Sequence, residues 1–273
     1  MDESKKVIRT AILVIFILVV ALAAYYFFIA GKGKTDKVTE PALQAQKPAG
    51  EEVGSKEGKD LAALSVDLDK SDDIVRSLIA ELSSAPTFSQ WLKTKDLVRK
   101  FVAAVDNIAN GQSPRPQMDF FALEGKFKTM IKNGQAYLDP SAYDRYNVVA
   151  DVFDSVSTTG CARMYGRFKP LFQQAYRELG YPKGDFDQTL LRAFVEILKT
   201  PVVDEPVALE QKIMSYAMMD PNLEELSAAQ KHLLRMGPEN LQLIQAKLRE
   251  IALALGFTES QLPKQRIYAP VKR

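Results

Sequence analysis

The chain is poor in the residues on which much enzyme and metal chemistry depends. Among 273 residues there is one cysteine, Cys161, and one histidine, His232. A single cysteine excludes a disulfide within the chain, and one imidazole beside it excludes a Cys/His zinc site and a spare histidine for a Ser-His-Asp triad. The sequence also contains no Gly-rich phosphate loop, Gly-x-Ser-x-Gly or His-Glu-x-x-His motif. We therefore predict no cofactor, no metal and no catalytic residue.

An excess of charge of one sign is lacking too. The 36 lysines and arginines are nearly balanced by 34 aspartates and glutamates, which leaves a net charge of +2. That balance is far from the basic footprint that non-specific nucleic-acid binding requires. The hydrophobic share of 47% is sufficient for a folded core. We predict a folded protein with no nucleic-acid partner.

One long hydrophobic run lies near the N-terminus. Residues 10–30 contain no charged side chain. A helix of this length, at about 1.5 Å per residue, covers the roughly 30 Å hydrocarbon layer. Tyr25 and Tyr26 lie where amphipathic rings favour the membrane interface. We predict a transmembrane anchor over 10–30 that binds the lipid bilayer, after a cytoplasmic tail of residues 1–9.

The same run also has features of a cleaved signal peptide, because Ala21-Leu22-Ala23 has the small-x-small spacing of a cleavage site. Cleavage there leaves the apolar residues 25–29 exposed at a new N-terminus, so we favour the uncleaved anchor. Basic residues flank both ends of the run, and their count does not choose an orientation.

Composition divides the rest of the chain into three parts. Residues 31–69 hold five glycines and two prolines and no aromatic residue, which predicts a disordered linker. Residues 70–257 carry helical periodicity and predict a globular, mainly helical domain. Residues 258–273 hold four basic residues against one acidic residue and predict a basic flexible tail.

The domain is predicted to be mainly α with a small β component (α+β), with one or two β-hairpins. Alternating residues over 126–132 followed by Asn133-Gly134 predict a hairpin with a type I′ turn. Strands also fit between 202 and 219. Asp139-Pro140 and Asp220-Pro221 are typical of helix starts. Pro170 predicts a kink or two helices.

Several short blocks of this domain are distinctive when taken together. The blocks are Leu138-Asp139-Pro140, Tyr143, Arg145-Tyr146, Pro170-Leu171 through Ala175-Tyr176, Glu178 to Pro182, Thr200-Pro201, Leu223-Glu224 through Gln230-Lys231, Arg235 to Pro238 and Asn240. Together they resemble a proteobacterial family of singly anchored proteins, domain-of-unknown-function family 3014. The resemblance implies an inner-membrane anchor, a periplasm-facing domain and no assigned reaction. Family members tend to have an apolar residue where this chain has His232, which argues against a required role for that imidazole.

Two arginines are the candidate binding residues. Arg145 and Arg235 lie on helices that follow strand-like segments, and a planar guanidinium recognises carboxylates through two hydrogen bonds. We predict a binding site formed by Arg145, Tyr146, Tyr181 and Arg235 for an acidic ligand or partner segment. The alternative is that the arginines form internal ion pairs, with Glu178, Glu224 or Asp144.

These observations leave three functions open. The first is a membrane-anchored interaction or assembly module of the cell envelope, whose partner is another envelope protein. The second is an envelope (cell-wall) hydrolase, and the third is a sensor domain for a small acidic ligand. For all three we expect a single-pass protein of the bacterial inner membrane with a periplasmic C-terminal domain. The sequence does not determine an oligomeric state.

Overall fold

The structure of the protein is a computed structural model that describes residues 66–118, 127–213 and 215–269. The predicted tail 1–9, the predicted anchor 10–30 and most of the predicted linker lie outside these ranges. Within them, no helix combines the length and the hydropathy of a membrane span.

Helices make up most of the described chain. Nine α-helices lie within the described ranges: α1 (Asp72–Ile79), α2 (Pro86–Trp91), α3 (Leu97–Ala109), α4 (Asn147–Ser155), α5 (Thr158–Glu178), α6 (Phe186–Leu198), α7 (Pro221–Glu224), α8 (Ala228–Leu234) and α9 (Pro238–Ala254). Short 3-10 turns connect several of them, among them Arg115–Gln117, Pro140–Ala142 and Asp144–Tyr146.

The main hydrophobic core lies between the long helices. Helix α3 packs against α5 and α6, and α9 packs against α4, α5 and α6. Four large side chains of these helices are at most 2% exposed to solvent: Phe168, Leu171, Phe186 and Leu241. Helix α5 continues through Pro170 as one element. Of the two predicted alternatives, a kink or two helices, the second is therefore wrong, because core residues on both sides of the proline hold the helix together.

A small antiparallel sheet forms the β component. Strands β1 (Thr129–Lys132), β2 (Gln135–Leu138), β3 (Ala208–Gln211) and β4 (Tyr216–Met218) lie in the order β1-β2-β3-β4. Asn133 and Gly134 have φ values of 52° and 77°, as a type I′ turn requires. The predicted hairpin and the α+β class are therefore confirmed.

A second, smaller core lies under this sheet. Leu138, Leu209 and Met218 point from three strands toward the helices, where Leu223 of α7 and Leu234 of α8 cover them. The sheet thus packs one face on the short helices that precede α9. This packing places the end of α8 beside the chain that leaves β2.

Side-chain caps explain where several helices begin. The carboxylates of Asp139 and Asp220 accept from the amide groups two residues later, and each is followed by proline, as predicted. Ser227 forms a reciprocal capping box with Gln230.

The end of the described chain differs from the expected flexible tail. Leu262 is buried, and residue 267 forms a parallel bridge with Val202. The hydroxyl of Tyr268 donates to a carboxylate oxygen of Asp220. Apolar packing and backbone bonds therefore hold residues 262–268, although their composition is polar and basic.

Candidate functional site

The turn that follows β2 orients Arg145. Tyr146 is buried in the main core, and the guanidinium carbon of Arg145 lies 4.7 Å from the centre of its ring. Nη2 of Arg145 also donates to the Tyr146 hydroxyl over 2.7 Å. Nε of Arg145 is buried and has no hydrogen-bond acceptor among the described residues. A cation–π contact and a neutral hydroxyl thus position this charge, which forms no ion pair with a carboxylate among the residues that the structure describes.

Arg235 lies at the C-terminal end of α8, next to the same turn. Gly237, which follows it, packs against the ring of Tyr143. Asn240 of α9 donates to the carbonyl oxygen of Tyr143 over 3.3 Å and to Oδ1 of Asn147 over 3.0 Å. These contacts dock the junction between α8 and α9 onto the 3-10 turns around Arg145. Within the block from Arg235 to Asn240, glycine and asparagine therefore have packing roles.

The pKa of His232 in α8 is affected by the charges of both arginines. Burial is the main cause that lowers the pKa of His232 from its ordinary value of 6.5, and the charges of Arg235, Arg115 and Arg145 lower it further. These three arginines belong to three separate elements of the fold. We call Arg115, Arg145 and Arg235, whose charges act on the pKa of His232, the arginine cluster.

Arg115 comes from a third part of the fold, the 3-10 turn that follows α3. Prolines at 114 and 116 flank it and restrict its backbone. The side chain of Asn107 in α3 donates to Gln117 over 2.7 Å and ties the turn to the helix. Arg115 itself is exposed, so its guanidinium is available to a ligand.

The acidic residues expected to neutralise the arginines have other partners. Glu178 pairs with Arg99 at 2.9 Å. Glu224 pairs with Lys231 at 2.8 Å and accepts from the amide of Met218. These two bonds lower the pKa of Glu224, to which the charge of Arg235 contributes less.

None of the three cluster arginines forms an ion pair with any residue in the described ranges. Internal pairing with Glu178, Glu224 or Asp144 is therefore not observed there. Lys231 is the ion-pair partner of Glu224, so within the described ranges no carboxylate pairs with a cluster arginine.

Tyr181, the fourth residue of the predicted site, lies in a different contact. Its ring stacks on Tyr176 with 4.6 Å between centres, and its hydroxyl donates to Oδ2 of Asp106 over 3.2 Å. The Asp106 charge is the main cause that raises the pKa of Tyr181. The structure thus pairs Arg145 with Tyr146, and the contacts of Tyr181 are with Tyr176 and Asp106.

Sequence reasoning missed Arg115 and set His232 aside. The Pro-Arg-Pro segment was a local indication that the Arg115 backbone is fixed. No local pattern links that segment to α8, which lies more than a hundred residues further along the chain. The sequence shows where the arginines lie along the chain, and only the tertiary structure shows that their charges act on the same histidine.

The remaining candidates for chemistry are the Cys161 thiol, groups of metal ligands and a cavity beside the sheet. Burial raises the pKa of the Cys161 thiol to about 11, so a thiolate nucleophile is scarce at neutral pH. No group of three or more potential metal ligands occurs in the ranges that the structure describes. A cavity of about 390 Å³ beside the sheet is lined by Tyr137, Glu205, Asp220 and Tyr268 among others.

Comparison with known proteins gives one match. The model of a family described as "Protein of unknown function (DUF3014)" matches residues 97–252. This range begins at the first residue of α3 and ends within α9, and it includes all three arginines of the cluster. No curated protein and no solved structure shows significant similarity to the chain.

Proposed function

Because the chain belongs to the DUF3014 family of proteins of unknown function, its role must be derived from its own residues, and we propose that it is a membrane-anchored binding module of the bacterial cell envelope. Residues 10–30 anchor it in the inner membrane and residues 31–69 tether the folded domain in the periplasm. The uncharged run and the Gly-rich linker support this arrangement. A tether raises the effective concentration of the domain near other membrane proteins.

The arginine cluster carries the proposed binding function. Three like charges repel one another, and burial near His232 weakens the screening that water provides. No acidic side chain in the described ranges pairs with them. A bound anion lowers this repulsion and supplies acceptors to the guanidinium donors, including the buried Nε of Arg145.

The ligand is therefore an anionic group. In the leading form of the proposal, another envelope protein presents this group, and the module recruits that protein to the membrane. In the second form, a small acidic ligand carries it and the domain is a sensor. The unpaired arginines favour both forms, because they indicate an anionic group and do not indicate the molecule that carries it.

Photo-crosslinking in membranes tests this function. A photoreactive residue replaces the exposed Glu239, which follows the α8–α9 junction close to Arg235. We expect a specific crosslinked product that is lost in the double variant Arg145→Gln, Arg235→Gln. Arg163→Gln is the matched control, since it removes an exposed arginine of α5 outside the cluster. An unchanged product in the double variant contradicts the proposal.

Thermal unfolding of the same variants separates binding from stability. If the arginines bind a ligand, the double variant and Arg163→Gln unfold at similar temperatures while only the double variant loses the product. If the arginines stabilise the fold, the double variant unfolds at a clearly lower temperature. In that case the loss of a product says nothing of binding, and the single variant Arg115→Gln replaces it because Arg115 is exposed.

One observation favours the hydrolase as a second candidate. Glu205 and Asp220 both line the cavity beside the sheet, and acid–base hydrolysis uses two carboxylates in one cleft. Asp220, however, caps α7 and accepts the hydroxyl of Tyr268. Turnover of purified cell-wall material by the protein, abolished in Glu205→Gln, is the result that selects this candidate over the binding module.

A further inference from the structure

The cavity beside the sheet is lined by two opposite charges that have no partner in the described part of the chain. Its volume of about 390 Å³ lies within the usual range of small-ligand sites. We infer that this cavity binds a zwitterion, either a free α-amino acid with an apolar side chain or a short peptide of such residues. None of the three cluster arginines lines the cavity, so this inference goes beyond the binding function proposed above and does not rest on it.

The first argument is the pair of unpartnered charges. The charged residues that line the cavity are Glu205, Asp220 and Lys132. Asp220 is engaged, because it caps α7 and accepts the hydroxyl of Tyr268. Glu205 and Lys132 form no side-chain ion pair or hydrogen bond within the described ranges, either with each other or with another residue. A zwitterion compensates both, whereas a simple anion or cation pairs with one of them and is repelled by the other.

The second argument is that the backbone holds these charges in place. Lys132 ends β1, where it pairs with Gln135 of β2. Glu205 precedes Pro206, which favours an extended backbone at Glu205. Two residues after Glu205, the carbonyl oxygen of Val207 accepts from the amide of Leu138 in β2 over 2.9 Å. Both charges thus lie on segments that are bonded to the same strand, and a preorganised site of this kind loses little entropy on binding.

The third argument is the aromatic part of the lining. Tyr137 and Tyr268 both line the cavity, and the face of an aromatic ring attracts an ammonium group. Tyr268 is held at two points, since its amide donates to the carbonyl oxygen of Val202 over 2.8 Å and its hydroxyl donates to Asp220. Asn133, next to Lys132, also lines the cavity, and a side-chain amide is a donor for a carboxylate.

The rest of the lining indicates what else the ligand carries. Val203, Val207 and Leu223 line the cavity and belong to the second core under the sheet. An apolar side chain gains free energy when it is buried against such residues. The lining therefore matches an ammonium group, a carboxylate and an apolar side chain in one small molecule, and leucine is the simplest probe that has all three.

Isothermal titration calorimetry of the full chain in a non-ionic detergent tests the site. The four probes are leucine, leucinamide, N-acetyl-leucine and the dipeptide leucyl-leucine, at constant ionic strength and about pH 6.5, where free amino groups are protonated. Leucinamide has no carboxylate, and N-acetyl-leucine has no ammonium group. We expect leucine or the dipeptide to bind at least about tenfold more tightly than either analogue.

Variants assign the binding to the cavity. Glu205→Gln should weaken binding of the preferred zwitterion by about tenfold without weakening that of N-acetyl-leucine, which has no ammonium group to pair. Lys132→Gln should weaken the zwitterion by a similar factor without weakening leucinamide. Glu210→Gln and Lys128→Gln are the matched controls, since they remove nearby charges that do not line the cavity. All four side chains are exposed, so the substitutions leave the cores intact.

The outcomes decide the inference and name the ligand. Leucine and dipeptide binding no tighter than that of the analogues overturns it, as does the absence of binding by all four probes. Unchanged binding in Glu205→Gln and Lys132→Gln, or equal weakening in the two controls, also overturns it. When a zwitterion is preferred, tighter leucine binding indicates a free amino acid and tighter dipeptide binding indicates a short peptide. The crosslinking experiment tests the arginine cluster separately.

Discussion

A Cβ atom on Gly237 would lie 2.5 Å from Cγ of Tyr143. Gly237 also has a φ of +89°, which only glycine adopts without strain. The link between α8 and α9 thus presses directly against the aromatic ring of the turn that carries Arg145. Any larger residue at this position must move one of the two elements that hold the arginine cluster.

Gly237→Ala is therefore expected to destabilise the domain. Overpacking against the Tyr143 ring and the positive φ together cost roughly 2–4 kcal/mol of unfolding free energy. Gly256→Ala is the matched control, since Gly256 has a φ of +93° and no atom within 4 Å of the added Cβ. Urea unfolding measures both variants. Equal losses of unfolding free energy in Gly237→Ala and Gly256→Ala would mean that the contact with Tyr143 is unimportant.

His232 makes the stability of the domain depend on pH. Burial and three nearby arginines lower its pKa in the folded state below the ordinary 6.5. The unfolded chain therefore takes up a proton first as pH falls, and the folded state loses stability from about pH 7 downward until the folded pKa is passed. Unfolding midpoints measured between about pH 7.5 and 5.5 should fall in the native chain and fall less in His232→Gln. If the unfolding midpoints of the native chain and of His232→Gln fell equally with pH, His232 would not be the group responsible.

Glu224 has the opposite dependence at lower pH. Hydrogen bonds from Lys231 and Met218 lower its folded pKa below 4.5, so its contribution is complete above about pH 4.5 and is lost as pH falls through the folded pKa. Its side chain is 39% exposed, and after allowance for solvent screening Glu224→Gln should cost only about 0.5–1 kcal/mol at neutral pH.

Urea unfolding at neutral pH and at about pH 3 tests this dependence. The difference in unfolding free energy between the native chain and Glu224→Gln should be smaller at about pH 3 than at neutral pH. Glu225→Gln serves as the comparison because Glu225 is an exposed neighbour. A constant difference at both pH values argues against a charged role for Glu224.

Cys161 should react slowly while the domain is folded. A pKa of about 11, compared with an ordinary 9.0, reduces the thiolate fraction at pH 8 by roughly a hundredfold. Mass spectrometry after timed exposure to iodoacetamide measures the rate, and the chain in urea supplies the unmasked rate. Similar rates in the two conditions would show that burial does not protect the thiol.

Local chemistry was sufficient to predict much of the secondary structure. Asn133-Gly134 predicts its hairpin because the turn conformation depends on those two residues, and Asp139-Pro140 predicts a cap for the same reason. Ser71 is an exception to such local rules. Serine is a common N-cap residue, and Ser71 directly precedes α1, but its hydroxyl donates to the carbonyl oxygen of Leu68 and does not cap the helix. The packed segment 262–268 was also missed, since its partner Val202 lies far away in the sequence.

The candidate site shows the same limit. Arg145 and Arg235 were identifiable as residues that follow strand-like segments and carry bidentate donors. The docking of the α8–α9 junction onto the turn that carries Arg145 depends on the contacts of Gly237 and Asn240 with Tyr143, and a sequence does not show such tertiary contacts. Tyr181 was grouped with them, although the turn after α5 places its ring against Tyr176 of that helix.

The order of the sheet has a consequence for how the chain folds. Strands β2 and β3 are neighbours, yet α4, α5 and α6 lie between them, and a bond from Gln135 to Leu209 spans 74 residues. Each two-stranded hairpin closes in about 1–10 μs. Pairing β2 with β3 closes a long loop, and this closure costs chain entropy. We expect the two hairpins to pair only after the intervening helices have packed, because the contacts among those helices offset that cost. We therefore expect the docking of these helices, and not turn formation, to set the refolding rate.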